Sequence, residues 1–322
     1  FALISILASI KNLKSAFGRI FVPISLPSRI QPRNFVLLIS TNSFCFDPNR
    51  YLAHNGDVIS VVDERRSLLA SWLKNSTPFQ NGKLSVASAD ASFRRYFRLH
   101  HASNTYIVMD APPELEPSDD FVKIGSWMRI NGIHVPEILA QDLKLGFLVL
   151  SDFGDVHFQD ALNKDNKSEL YQMAIDEIIK FQKFMVIEEE KLPVFDSSWQ
   201  WKELKIFWEW CLPNLSETEF RQSFEILVKL IDEIPKAFMH RDFHCRNLLV
   251  CPDGNLGIID FQGAMHGPIT YDLVSLLRDC YIDNEENWIE KKVGNFQQSL
   301  VSEKFSYATV ESDEFIRWFD WV

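Results

Sequence analysis

The segment FMHRDFHCRNLLV at 238–250 puts His240, Asp242 and Asn247 within eight residues, and GIID at 257–260 sets Asp260 at the end of an apolar run. Asn247 follows Asp242 by five residues, and Asp260 follows Asn247 by thirteen. A carboxylate, an amide and a second carboxylate at these offsets suit phosphoryl transfer to a hydroxyl. The first carboxylate orients the attacking hydroxyl and takes its proton, while the amide oxygen and the second carboxylate hold Mg²⁺ against the phosphates. Asp242 is therefore the expected general base, and Asn247 and Asp260 the expected metal ligands. Each has a plain alternative: a loop carboxylate capping a turn, an Asx turn, a strand-end cap. The three together at this spacing favour the site. His244 could reach a substrate and Arg246 a phosphate, or both could be ordinary loop residues.

These side chains need a rigid frame. PDGN at 252–255 is a turn sequence between the short apolar strands NLLV and LGIID, so the loop and Asp260 are expected on neighbouring strand ends. Upstream, from Val156, apolar residues recur at three- and four-residue spacing, as in SELYQMAIDEIIKFQKFMV. SSWQWKELKIFWEWC carries an aromatic stripe of Trp199, Trp201, Phe207, Trp208 and Trp210, which is core or a sugar-stacking platform, core being favoured. Ser216 and Glu219 are in capping-box register. Further helices are expected near 270–280, 285–301 and 312–322.

Before Val156 the texture is that of a sheet. Residues 84–88, 93–99 and 105–110, then HVPEILAQD and GFLVLSDFGD, predict five short strands. One helix, with Leu68, Leu69, Trp72 and Leu73 on one face, starts after the cap candidate Asp63, and another runs from the cap candidate Ser118 to Gly132. The expected fold class is α+β and two-lobed: a small antiparallel β lobe at 63–150 and a mainly helical lobe at 151–322.

Composition narrows the partners. Apolar residues make up 46% of the chain, and the net charge of −11 argues against nucleic acid or an anionic membrane. No apolar run approaches the roughly 20 residues of a membrane helix. Five cysteines without framework spacing suit a reducing compartment. Residues 1–58 carry a net +4, so the remainder carries −15. Residues 1–62 also contain Pro23, Pro27 and Pro32 and are expected to be a poorly ordered basic leader.

The order of small β lobe, helical lobe, HRDxxxxN, strand–turn–strand, IDF and YDL resembles the aminoglycoside phosphotransferase family, of protein-kinase-like fold. SADASFRRYFR (88–98), VMDAPP (108–113) and DFQGAMHGPITYDLVSLLRDCYI (260–282) are similar to bacterial kinases of the anomeric hydroxyl of N-acetylmuramate and N-acetylglucosamine. The resemblance covers about 63–322 and implies ATP and Mg²⁺ as cofactors, a free amino sugar as acceptor, a cytoplasmic setting and a role in cell-wall recycling. It implies that His240 braces the loop, that Asp272 holds the loop by accepting backbone N–H bonds, and that the hinge Leu148–Phe153, with Leu150 and Asp152, meets adenine. It also implies helices beyond EFIRWFDWV, where the pattern stops in mid-helix.

One departure stands out. The third strand ends Val108-Met109-Asp110, where kinases of this fold place a lysine on the phosphates. Asp110 with Lys123 is a possible charge-swapped pair. Phosphate contact then falls to the turn ASADAS, with Ser92, and to Arg94 and Arg98, which strand alternation sets on the face opposite Arg95. Two alternatives stay open: a kinase of another small alcohol, aminoglycoside or choline-like, and a nucleotide-binding regulator without catalysis.

Overall fold

The computed structural model describes residues 63–89, 93–184 and 192–322. The leader expected at 1–62, and Ser92 in the phosphate turn, lie outside the described residues. What is described falls into two compact units, 63–117 with 139–150 and 118–138 with 151–322.

The first unit is built on helix α1 (Glu64–Ser76), whose N-cap Asp63 accepts from the Arg66 amide at 3.0 Å. Strands β1 (Lys83–Ala89), β2 (Arg95–His101) and β3 (Asn104–Asp110) form an antiparallel meander. β4 (Ile138–Asp142) and β5 (Phe147–Ser151) complete the sheet in the order β1-β2-β3-β5-β4. Alternation on β2 sends Phe97 and Leu99 inward, where Leu69, Trp72 and Leu73 of α1 meet them with Val108, Phe147 and Val149. Leu68, expected on the same helix face, is 42% exposed: its position falls on the flank of the stripe. Gly146, at φ +74°, closes the β4–β5 turn so tightly that a Cβ there would lie 1.8 Å from the Ala111 carbonyl oxygen.

Helix α2 (Asp119–Ile130) belongs with the second unit. Its Phe121 stacks on Phe261 with ring centroids 4.8 Å apart, and Gly125 admits that ring: a Cβ would stand 2.9 Å from it. Ser118 precedes the helix but makes no side-chain cap, contrary to expectation; its buried hydroxyl finds no partner among the described residues. Gly132 ends the segment at φ +74° as a left-handed stop.

The rest of this unit is helical around two small antiparallel pairs. The helices are α3 (Phe158–Ala161), α4 (Lys167–Phe184), α5 (Ser197–Cys211), α6 (Glu217–Glu233), α7 (Tyr271–Leu277), α8 (Glu286–Ser302) and α9 (Ser312–Trp321). β6 (Lys236–Met239) pairs with β9 (Met265–Pro268), and β7 (Leu248–Val250) with β8 (Leu256–Ile258). The expected turn between β7 and β8 forms, with Asp253 Oδ1 accepting from the Asn255 amide and Gly254 at φ +84°. The capping box of α6 also forms. The aromatic stripe on α5 divides. Phe207 is buried against Phe220 and Phe224, with Trp201 and Trp208 packed on them, while Trp210 is exposed. Trp199 turns to the other side, against Phe195, Met239 and Tyr271.

Candidate active site

The loop from His240 to Asn247 hangs between β6 and β7, so both ends are held by ladder hydrogen bonds. Its start is fixed by one carboxylate. Asp272, at the first turn of α7, accepts the His240 amide at 2.7 Å on Oδ2 and the Arg241 amide at 3.0 Å on Oδ1. Burial pushes the Asp272 carboxyl up to about 7, against the pull of these two amides. Arg241 itself stands at φ +79°, a conformation an arginine keeps only when its surroundings impose it. The two amide bonds supply that constraint. The end of the loop is tied in the same way: Asp279 Oδ2 accepts the Cys245 amide at 2.8 Å, and its Oδ1 accepts that of Tyr281.

His240 is wholly buried between the rings of Phe181 and Phe243, with Nε2 3.1 Å from the Ile259 carbonyl oxygen. Burial brings its pKa down to about 4, only partly opposed by the charge of Asp260. It links the loop to the β8 exit, where Asp260 follows.

Asp242 sits two residues on. Burial raises its carboxyl above the ordinary carboxylate range; Arg241 opposes, the neighbouring charge of Asp260 adds, and His244 opposes. A raised pKa makes the carboxylate a better proton acceptor. Asn247 is buried and donates from Nδ2 to the Asp242 carbonyl oxygen at 2.9 Å, and its own carbonyl accepts from the Ile259 amide. With the nitrogen engaged, Oδ1 is the atom left for a cation. Asp260 adopts a left-handed backbone, φ +64°, which an aspartate tolerates better than most residues. Gln262 Nε2 donates to its Oδ1 at 2.6 Å, and no described residue donates to Oδ2.

An amide oxygen and a carboxylate oxygen fit Mg²⁺, which accepts hard oxygen donors and takes few of them from protein. Among the described residues no three His, Cys, Asp or Glu side chains gather as a metal site, and the Asn–Asp pair needs no such cluster. Cys245 and Cys251 are buried free thiols.

The remaining expected residues are placed as follows. His244 is buried beside Tyr281, and neither ring nitrogen has a hydrogen-bond partner among the described residues. Arg246 is exposed, with its guanidinium 3.8 Å from the centroid of Tyr281. Asp152 Oδ1 accepts the Gly154 amide at 2.9 Å, and Leu150 is buried at the end of β5. In the sheet unit Arg94 pairs with Glu116 at 3.2 Å, and Arg98 lies half-buried on β2. Both oxygens of Asp110 are taken inside the sheet unit, by Arg65 at 2.9 Å and by Arg95 at 2.9 Å. Arg95 also reaches Asp63, so a chain of four charges joins α1 to β2 and β3.

Two residues on α5 escaped the sequence reading. Glu203 lies 3.3 Å from Arg241 Nε, and its carboxyl is raised mainly by burial. Gln200, one turn earlier, is 3% exposed. The available signal was polar residues at positions 200, 203 of a helix face that continues into buried Phe207.

A family profile described as "Phosphotransferase enzyme family" matches residues 83–302. The chain is 38% identical over 249 residues, 72% of each chain, to the N-acetylmuramate/N-acetylglucosamine kinase of Pseudomonas aeruginosa. It is 34% identical over 278 residues, 80% of each chain, to the protein of that name from Neisseria meningitidis serogroup B. In fold it is similar to aminoglycoside-3'-phosphotransferase of type VIII, with TM-score 0.52 at 16% identity over 80% of this chain and 97% of that one. The α+β, protein-kinase-like fold expected from the motifs is therefore the fold found, and the chain belongs to the phosphotransferase enzyme family.

Proposed function

We propose that this chain is an ATP- and Mg²⁺-dependent kinase that transfers the γ-phosphoryl group to the anomeric hydroxyl of N-acetylmuramate or N-acetylglucosamine, giving the sugar 1-phosphate. The observation that carries the reading is the pinning of Asn247 to the carbonyl of Asp242, in a loop clamped by Asp272. The names of the relatives, given at 34–38% identity, support the acceptor.

In this reading Asp242 orients the attacking hydroxyl and takes its proton late in transfer. An anomeric hydroxyl is a hemiacetal and more acidic than an ordinary alcohol, so a half-buried carboxylate is base enough. Asn247 Oδ1 and Asp260 Oδ2 would hold Mg²⁺, which when bound supplies charge neutralisation at the phosphates. His240 and Asp272 keep the loop in place. Arg94, Arg98 and the turn carrying Ser92 take phosphate, Leu150 and Asp152 belong to the adenine-binding hinge, and His244 and Arg246 lie on the acceptor side. Recovery of cell-wall amino sugars in the cytoplasm is the setting this activity would serve. Among the described residues no helix is long and apolar enough to cross a membrane.

A panel of acceptors with labelled ATP tests the reading. Label is expected in N-acetylmuramate and N-acetylglucosamine and absent from choline and aminoglycosides. Transfer to choline but to neither sugar would overturn it.

A further inference from the structure

Asp260 follows the exit of β8, but its carboxylate does not serve the local backbone. It precedes the short 3₁₀ turn Phe261–Gly263, in the place of an N-cap, and makes no side-chain cap hydrogen bond. The turn is fixed by its own residues. Phe261 is wholly buried and stacks on Phe121, and the Ala264 amide donates to the Phe261 carbonyl oxygen at 3.0 Å. One side chain holds the carboxylate instead: Gln262 Nε2 donates to Asp260 Oδ1 at 2.6 Å. Only the amide nitrogen can donate, so the carboxylate decides which way the amide faces. Gln262 Oε1 is then turned to a buried place where no described residue donates to it. An unmet buried acceptor is destabilising, yet the side chain keeps this orientation. The charge of Asp260 acts on both His240 and Asp242, so its carboxylate lies beside the catalytic loop.

We propose that Gln262 is a positioning residue for the metal: by holding Oδ1 it fixes Asp260 as a ligand through Oδ2 alone, and so favours Mg²⁺ over Ca²⁺. The two cations ask different things of a carboxylate. Mg²⁺ is small, demands near-ideal octahedral geometry and takes few oxygens from protein. Ca²⁺ is larger, accepts roughly six to eight oxygens and often takes both oxygens of one carboxylate. A carboxylate with one oxygen engaged by an N–H is a one-oxygen donor. Hydrogen bonds to a ligating group set its orientation, and removing them typically weakens metal binding about 10- to 100-fold. The inference rests on the kinase reading above, in which Asn247 and Asp260 hold the cation.

The test measures ATP binding at equilibrium while Mg²⁺ or Ca²⁺ is titrated in, for wild type, Gln262→Met and Gln262→Asn. Methionine keeps the length and removes the donor; asparagine keeps the amide and is one methylene shorter. Wild type is measured first. ATP binding that responds to neither cation would overturn the metal site of the kinase reading and this inference with it. Given a response, Gln262→Met should need on the order of 10- to 100-fold more Mg²⁺ for half-maximal effect. Its requirement for Ca²⁺ should change far less, because Oδ1 is released to join the ligands, so the preference for Mg²⁺ should shrink. Gln262→Asn should follow Gln262→Met. Metal-free ADP binding and the ligand-free melting temperature should stay near wild type in both variants, which separates lost positioning from lost fold. An unchanged Mg²⁺ requirement in Gln262→Met, or equal losses for the two cations, would overturn the assignment and leave the kinase reading standing. A lowered melting temperature together with weaker metal-free ADP binding would mark a structural role and overturn it too.

Discussion

Two buried aspartates do opposite work in the two units. Asp272, 3% exposed, spends both oxygens on backbone amides of the catalytic loop. Asp110, 0% exposed, spends both on the guanidinium groups of Arg65 and Arg95. The first converts a carboxylate into geometry: it imposes the strained backbone at Arg241 and so aims the next side chain, Asp242. The second converts a carboxylate into charge balance and ties a helix to two strands. The comparison teaches that burial alone does not give a carboxylate its role. Its partners tell which role it has.

The largest effect should come from the residue that Asp272 aims. Asp242→Asn keeps the shape and removes the base, and kcat should fall by about 10²–10⁴-fold with little change in ATP binding. Steady-state turnover and nucleotide titration check this; an undiminished kcat would remove Asp242 from the chemistry. Asp272→Asn should act through the backbone. It keeps one acceptor oxygen, loses the other and buries an amide that must find new partners, so stability should drop by roughly 2–4 kcal/mol in a denaturant titration. Its kcat should fall as well, because the loop is no longer held. A stability loss with full kcat would break the link between this carboxylate and the aim of Asp242.

Asp110→Asn sharpens the other half of the comparison. The two arginine side chains are 31% and 33% exposed, so water relieves part of the loss, and the expected cost is about 1–3 kcal/mol. The kcat of the folded fraction should stay within about twofold if the network is structural, roughly 0.4 kcal/mol of barrier at most. A far larger fall in kcat at unchanged stability would make Asp110 part of nucleotide handling and dissolve the contrast. The smallest effect serves as calibration. Ser216→Ala removes the N-cap of α6, far in sequence from either aspartate, and should cost about 1 kcal/mol of stability with no change in kcat.

Much of the site was legible because its parts are local. Asp242 and Asn247 share one loop, and Asp260 follows it after a hairpin whose turn residues announce themselves. The capping box at Ser216 and the cap at Asp63 were readable for the same reason: a cap and its amide are three residues apart. Ser118 shows the limit of such rules. The residue type suits a cap, but its hydroxyl is buried and makes no cap bond. Leu68 shows another, since a helix stripe has an edge that periodicity does not locate to the residue.

Sequence alone determined the spacing of Asp242, Asn247 and Asp260, the α+β order of elements and most of the turns and caps that punctuate it. These depend on steric and hydrogen-bonding preferences within a few residues. Tertiary structure decided the partners. Asp110 meets Arg65 across 45 residues, and Arg241 meets Glu203 across 38. Burial and ion pairing between distant segments follow from how whole elements pack, and many packings are compatible with one local pattern. Only the folded chain selects which charges lie together and which polar groups are buried.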